Sequence, residues 1–372
     1  MSRPIVKFNT LNRPEFFREL RNRVNNYFTE NNIPKTANIA MKFKTVFMLC
    51  LYFIPLGLLI SGTVTSLWMV MFMWFIMGFG MSGIGLSIMH DAIHGSYSNN
   101  KYVNKILGFS LNLLGGYNVN WKIQHNVLHH SFTNIENHDE DIAIPVMRFT
   151  PNQKLKKIYK YQAYYAVFFY GIMSIYWFLA KDFIKLRGYH KQDLLAPQGL
   201  TYRKALIQVT FYKLFYAFLT LGLPIYFAEI HWWQMILGFL IMEFISGIIL
   251  AFIFQPAHVI EETDFFVVDE EGCVENNWAI HQMKTTANFA NESKLLSWFV
   301  GGLNYQIEHH LFANICHIHY KKLSKIVKQT AQEFNLPYHE HKTFWQALKS
   351  HFSLLNQLGT GAYDKKLALA KA

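Results

Sequence analysis

Two long stretches almost without charge govern what this chain can become. Residues 43–89 hold no charged side chain besides Lys44, and residues 214–254 hold only Glu229 and Glu243. A membrane-crossing helix needs roughly 20 apolar residues, so each stretch has room for two crossings joined by a tight turn. A composition of 52% hydrophobic and 17% aromatic residues over 372 positions agrees with an integral membrane protein. The formal net charge of +11 would suit nucleic acid, but the basic residues flank the apolar tracts. Anionic lipid headgroups are the simpler counterion there, and no nucleic-acid partner is expected. Cys50, Cys273 and Cys316 form no CxxC pair, which points to packing roles in a reducing compartment. The polar first forty residues hold no signal-peptide core, so the first span is expected to act as its own insertion signal.

Five stretches are apolar enough to be spans, near 44–62, 64–89, 161–180, 205–228 and 232–254. The connections at 61–66 and 228–233 carry no Lys or Arg, whereas Lys42, Lys101, Lys105, Lys122, the 154–160 run, Lys181, Lys185, Arg187, Arg203 and Lys204 fall in the others. The positive-inside rule then puts both bare tips outside and the polar regions 90–160 and 255–372 in the cytoplasm. That parity requires four crossings. The stretch to demote is 161–180, crowded with Tyr and Trp and framed by lysines, as an interfacial or re-entrant segment would be. The expected fold is an all-α membrane protein with four transmembrane helices in two hairpins and a cytoplasmic helical cap. It divides into a cytoplasmic N-terminal segment at 1–40, a membrane domain at 41–260 and a C-terminal cap at 261–372.

Seventeen histidines are present, and three clusters stand out: HDAIH with His90 and His94, HNVLHH with His125, His129 and His130, and QIEHH with His309 and His310. On an α-helix, residues four apart lie about 40° from each other around the axis, while adjacent residues splay by about 100°. An adjacent pair suits two ions rather than one. All three clusters lie on the cytoplasmic face of the expected topology, where they can converge on one dinuclear centre. All-imidazole ligation suits iron, zinc or copper; zinc is not redox-active, so a membrane-embedded apolar substrate favours iron and oxygen chemistry.

At these residues the sequence resembles the integral-membrane fatty acid desaturases, whose three histidine boxes HDAIH, HNVLHH and QIEHH match in order over roughly residues 40–325. The glutamine opening QIEHHLF brings it closest to front-end acyl desaturases of the delta-5 and delta-6 type, bacterial linoleoyl-CoA members included. The resemblance implies two iron ions, O2 as co-substrate, a fatty acyl substrate in a membrane lipid environment, and the ligands His90, His94, His125, His129, His130, His309 and His310. It also implies one ligand outside the boxes, for which His281 is the first choice and His258, in FQPAH, the alternative. Gln306, Asp91, Asp139, Asp141 and Glu308 are expected to support the ligands from behind, and Trp121, Trp278 and Tyr305 are candidates for walls of an acyl channel. No HPGG haem motif occurs in these residues, so electrons are expected from a separate ferredoxin or cytochrome b5. The expected location is the bacterial inner membrane with the site facing the cytoplasm. A related di-iron hydroxylase of alkane, sphingolipid or carotenoid would carry the same boxes. A metal transporter or haem carrier would place ligands inside the bilayer, and the four expected span interiors contain no histidine.

Overall fold

The computed structural model describes residues 6–371, which are mainly helical with a few very short strands. Four helices are long and apolar enough to cross a membrane: Ile39–Ile60, Leu67–Ile93, Tyr202–Phe227 and Trp232–His258. Two of them begin at caps legible in the sequence. The Asn38 side chain accepts the Met41 N–H at 3.0 Å, and Thr201 Oγ accepts the Lys204 N–H at 3.3 Å, each satisfying a donor that the first helical turn leaves over. Their outer faces remain apolar, with Phe43, Phe47, Phe72, Phe75, Phe211 and Leu214 exposed. Water would not tolerate so much uncovered hydrocarbon, and lipid does. The demoted stretch 161–180 falls in a broken element: Lys157–Gly171 and Met173–Lys191 pass the same length and composition test only together and are bent by 59°. Among the described residues the helices able to span therefore number four, or five if the bent pair is one span.

Contacts divide the chain into two compact units that are not consecutive in sequence. One holds Ala37–Ile123 and Phe168–Ala251, and the other holds the described residues up to Thr36, Gln124–Val167 and those from Phe252 onward. In the first, helices approach at small residues, as lipid-embedded helices do. A Cβ on Gly80 would lie 2.8 Å from the Tyr52 backbone nitrogen, and one on Gly247 would lie 2.5 Å from the carbonyl oxygens of Tyr170 and Gly171. Backbone cannot swing aside as a side chain can. Gly247→Ala is therefore expected to destabilise the protein by about 1–3 kcal/mol, seen as a lower thermal midpoint in detergent; an unchanged midpoint would refute this close approach. The charged groups buried at its centre meet partners: Lys213 Nζ lies 2.5 Å from Asp182 Oδ2 and 2.9 Å from the Trp177 carbonyl, and the Tyr216 hydroxyl donates to Glu243 Oε1 at 2.6 Å.

The second unit is built on amphipathic helices. Phe16, Leu20, Val24 and Phe28 repeat every four residues along Pro14–Glu30 and are all buried. They join Leu323, Val327 and Ala331 of the Tyr320–Glu333 helix, Ile280 and Met283 of Trp278–Thr285, and Ile307 and Leu311 of Gln306–Leu311 in one core. Two parallel strand pairs tie down the ends of this unit, Lys7–Phe8 with Cys273–Val274 and Ala287–Phe289 with His339–His341. The helix Phe344–Thr360 starts at a reciprocal cap between Thr343 and Gln346.

Candidate metal centre

The second and third histidine clusters, and the end of the Trp232–His258 helix, meet in the second unit. The HNVLHH cluster does not lie on a plain α-helix. Ile123–His129 is a π turn, followed by the short helix His130–Phe132. A π turn closes i→i+5 hydrogen bonds, which brings residues five apart over each other. The Nε2 atoms of His125 and His130 are accordingly 3.2 Å apart, and their ring centroids lie 4.6 Å apart, closer than the 5.5 Å between His125 and His129. The wheel that sets His130 about 100° away from its neighbours' face assumes α geometry, and the structure corrects it. Such π turns recur at functional sites.

Two sets of three imidazoles bring one nitrogen each to within 4.8 Å of the others: His129 with His258 and His310, and His130 with His309 and His310. A third set joins His125 and His129 to Asp141. The ring centroids of His129, His258 and His310 are 4.7–5.0 Å apart, and those of His130 and His310 are 4.3 Å apart. QIEHH occupies the helix Gln306–Leu311, every residue of which is buried.

The hydrogen bonds behind these rings show how they are held. His129 Nδ1 faces both oxygens of Asp139 at 3.1 Å and lies 3.4 Å from Asp141 Oδ2. His258 Nδ1 meets the Thr285 carbonyl at 3.2 Å, His310 Nδ1 meets Gln282 Oε1 at 2.8 Å, and His309 Nδ1 meets the Tyr320 hydroxyl at 3.2 Å. In all four rings Nδ1 is engaged by a protein oxygen, so the other nitrogen is the one a metal would take. That is the arrangement expected of ligating histidines, whose second nitrogen is fixed by an outer partner. His258 Nε2 is fully buried without a hydrogen bond, and the set contains no thiolate. The residues present thus fit a histidine-bound borderline metal.

Asp139 is buried and also accepts the N–H groups of Asn134 and Asp141, each at 2.9 Å. Burial pushes its carboxyl up, but His129 and these donors outweigh burial and hold it below the usual range. Burial likewise disfavours charge on His129, yet Asp139 and Asp141 raise it to about 9. Glu308, expected behind the ligands, turns elsewhere: it accepts from Asn288 Nδ2 at 2.8 Å and the Tyr338 hydroxyl at 3.0 Å, and burial raises it to about 7. Gln306 is buried beside His258, and the Gln124 amide donates to Asp141.

His281 is set apart from these groups. Its Nε2 bonds to the Thr133 carbonyl at 2.7 Å, its ring packs against Phe8 and Phe266, and burial lowers it to about 4. Its neighbour Gln282 reaches the site instead, holding His310 and accepting from Thr133 Oγ at 3.0 Å. Neither Gln282 nor Thr133 is visible from histidine spacing; the signal, too weak alone, was an amide beside a histidine. Trp278 Nε1 donates to the His130 carbonyl at 3.0 Å, and Tyr305 is buried in the core of this unit.

In the first unit, His90 and His94 follow a π turn at Ile84–Met89. Their ring centroids are 4.8 Å apart, and both rings pack on Trp121 at 5.5 and 6.1 Å. Asp91 is buried, and its carbonyl accepts from the N–H and hydroxyl of Ser96, closing the helix end after HDAIH.

The profile of the fatty acid desaturase family matches residues 66–342. The sn-1 linoleoyl-lipid 6-desaturase of Arthrospira platensis is 33% identical over 355 residues, spanning 95% of each chain. The sn-1 linoleoyl-lipid 6-desaturase of Synechocystis sp. is 34% identical over 349 residues, 92% of this chain and 95% of its own. An acyl-lipid (8-3)-desaturase of Physcomitrium patens is 34% identical over 353 residues, 93% of this chain and 72% of its own.

Proposed function

Because the chain belongs to the fatty acid desaturase family, we propose that it inserts a cis double bond near the carboxyl end of a fatty acyl chain carried on a membrane lipid, using O2 at a histidine-bound di-iron centre. The observation that carries the chemistry is the convergence of two sets of three imidazoles, His129 with His258 and His310 and His130 with His309 and His310, each bringing one nitrogen per ring within 4.8 Å of the others, while protein oxygens engage Nδ1 of His129, His258, His309 and His310. Two bound irons would supply the reduction of O2 and the removal of hydrogen from two adjacent methylenes. The balance is one O2, two electrons and two protons per double bond, with two waters as the other product.

The ligand set we propose is His90, His94, His125, His129, His130, His309 and His310, with His258 taking the place of His281 as the eighth. Asp139 and Asp141 fix His129, the Thr285 carbonyl fixes His258, Gln282 and Thr133 fix His310, and Tyr320 fixes His309. Holding each tautomer keeps the lone pair aimed at the metal and raises ligand basicity. Gln306, a neutral amide and weak iron ligand, would help to orient His258 beside it. His281 braces the Thr133 carbonyl and so positions the hydroxyl that supports Gln282.

The proposed topology is two hairpins with the site on the cytoplasmic face, in a bacterial inner membrane. Its regions are a cytoplasmic segment at 1–40, a membrane domain at 41–260 and a cap at 261–372. The names of the cyanobacterial relatives support a linoleoyl lipid as substrate and position 6 as the site, and the proposed electron donor is a ferredoxin or cytochrome b5. Expression in a host without desaturases, with linoleate supplied and a reduced donor present, should give an acyl product two hydrogens lighter with its new double bond at position 6. A product heavier by one oxygen would instead mark a hydroxylase, and an unchanged acyl pool would refute the assignment.

A further inference from the structure

We infer that the N-terminal end of the Tyr320–Glu333 helix is the docking face for a small, acidic, one-electron carrier protein, with Tyr320 linking that face to the metal centre. The inference rests on the desaturase reading above, because that reaction needs two electrons that neither O2 nor the acyl chain provides. They arrive one at a time, oxidising two carrier molecules per double bond.

Two independent observations meet on this helix. The first is charge. Lys321, Lys322 and Lys325 are exposed, and lie within about 100° of one another around the helix. Among the described residues Lys322 and Lys325 make no ion pair. Lys321 pairs at 3.2 Å with Glu292, itself almost fully exposed, and such a pair is weak. Lys35 lies near them, half-buried and with its ammonium held by Asn25 Oδ1 at 2.7 Å: its carbonyl accepts the Cys316 N–H at 2.9 Å, and the ammonium lies 5.6 Å from the ring centre of Phe28, which packs on His319. These lysines gather at the helix end where the macrodipole is also positive.

The second observation is a route inward. Tyr320 is the first residue of the same helix, on the face opposite the lysines, and is buried. Its hydroxyl touches His309 Nδ1 at 3.2 Å. One residue therefore belongs to the helix that displays the charge and to the hydrogen-bond shell of a proposed iron ligand. A basic face on lipid headgroups would need no such connection, which favours a redox protein as the occupant. Charge complementarity of this kind raises encounter rates and shows its signature in salt dependence.

The test uses the full-length protein in nanodiscs, a [2Fe–2S] ferredoxin as probe donor, and photoreduced deazariboflavin as an uncharged chemical donor. The Lys321→Glu, Lys322→Glu, Lys325→Glu triple variant should raise the apparent KM for ferredoxin about tenfold or more and lose the salt sensitivity of the wild type. Its turnover with deazariboflavin should stay at the wild-type rate, which also certifies the fold. Lys365→Glu with Lys366→Glu, an equal reversal per site elsewhere on the exposed surface, should leave the ferredoxin KM unchanged. Equal ferredoxin KM in wild type and triple variant overturns the inference, as does an equal effect of the control pair. Activity lost only in nanodiscs of anionic lipid, with KM unchanged, assigns the face to the membrane and also overturns it. If wild type makes no product with either donor, the desaturase reading itself falls; product with deazariboflavin separates that failure from failure of the docking face.

Discussion

His258→Ala should reduce desaturation by at least about 100-fold and lower the iron content of the purified protein, while His281→Phe should leave iron content unchanged. The contrast follows from where the two rings sit. His258 brings a nitrogen within 4.8 Å of nitrogens of His129 and His310, with its Nδ1 held by the Thr285 carbonyl. Removing it deletes one donor from a three-imidazole group. Loss of a residue that only supports a ligand typically costs 10–100-fold in affinity or activity, so loss of a ligand should reach at least the upper end. His281 has given Nε2 to the Thr133 carbonyl and is flanked by Phe8 and Phe266. Phenylalanine preserves that packing and sacrifices one backbone hydrogen bond, a loss of about 1–3 kcal/mol in stability. Metal analysis of both variants, each checked for folding by thermal melt, decides between them. Iron lost from His281→Phe and retained in His258→Ala would restore His281 as the ligand.

The same pair of histidines marks the limit of what could be read from the chain. The apolar tracts and the three clusters were plain because span length and histidine spacing are local properties. The helices near 44–62 and 232–254 duly appear as Ile39–Ile60 and Trp232–His258. The choice of an eighth ligand was not local. His281 is nearer QIEHH in sequence, but a cap at Asn277 and the turn of Trp278–Thr285 point Gln282 rather than His281 at His310. The π turns at Ile84–Met89 and Ile123–His129 were equally hidden, since nothing in IGLSIM or IQHNVLH departs from an ordinary helical composition. The Pro14–Glu30 helix shows a third kind of loss. Its period-four apolar face was present in the sequence, but the partner for that face, 300 residues downstream at Leu323 and Val327, emerges only from tertiary packing.

Asp139→Asn should weaken iron binding by about 10–100-fold at alkaline pH and flatten its dependence on pH. In the metal-free protein Asp139 and Asp141 hold His129 at about 9 against the effect of burial. Below that value the ring carries a proton on the nitrogen a metal would take, and metal must displace it. Affinity in the wild type should therefore fall as pH drops below about 9. Removing the carboxylate's charge leaves burial less opposed, so the His129 pKa falls and proton competition begins only at lower pH. The variant then binds iron more weakly where the wild-type ring is neutral, because the imidazole has lost the anion that made it basic. The gap between the two should narrow as the solution is acidified. Stability follows a separate course. Both oxygens of Asp139 accept backbone N–H groups, Asn134 on one and Asp141 on the other, and an amide has only one oxygen to offer. One buried donor is left unsatisfied, a loss of about 1–3 kcal/mol, which a thermal melt of the metal-free protein would record alone only above about pH 9, where His129 is neutral and no ion pair is lost with it. Iron affinities measured by competition with a chelator across pH 6–10 would test the first part. Parallel curves for wild type and variant would show that Asp139 shapes the site without setting the charge of His129.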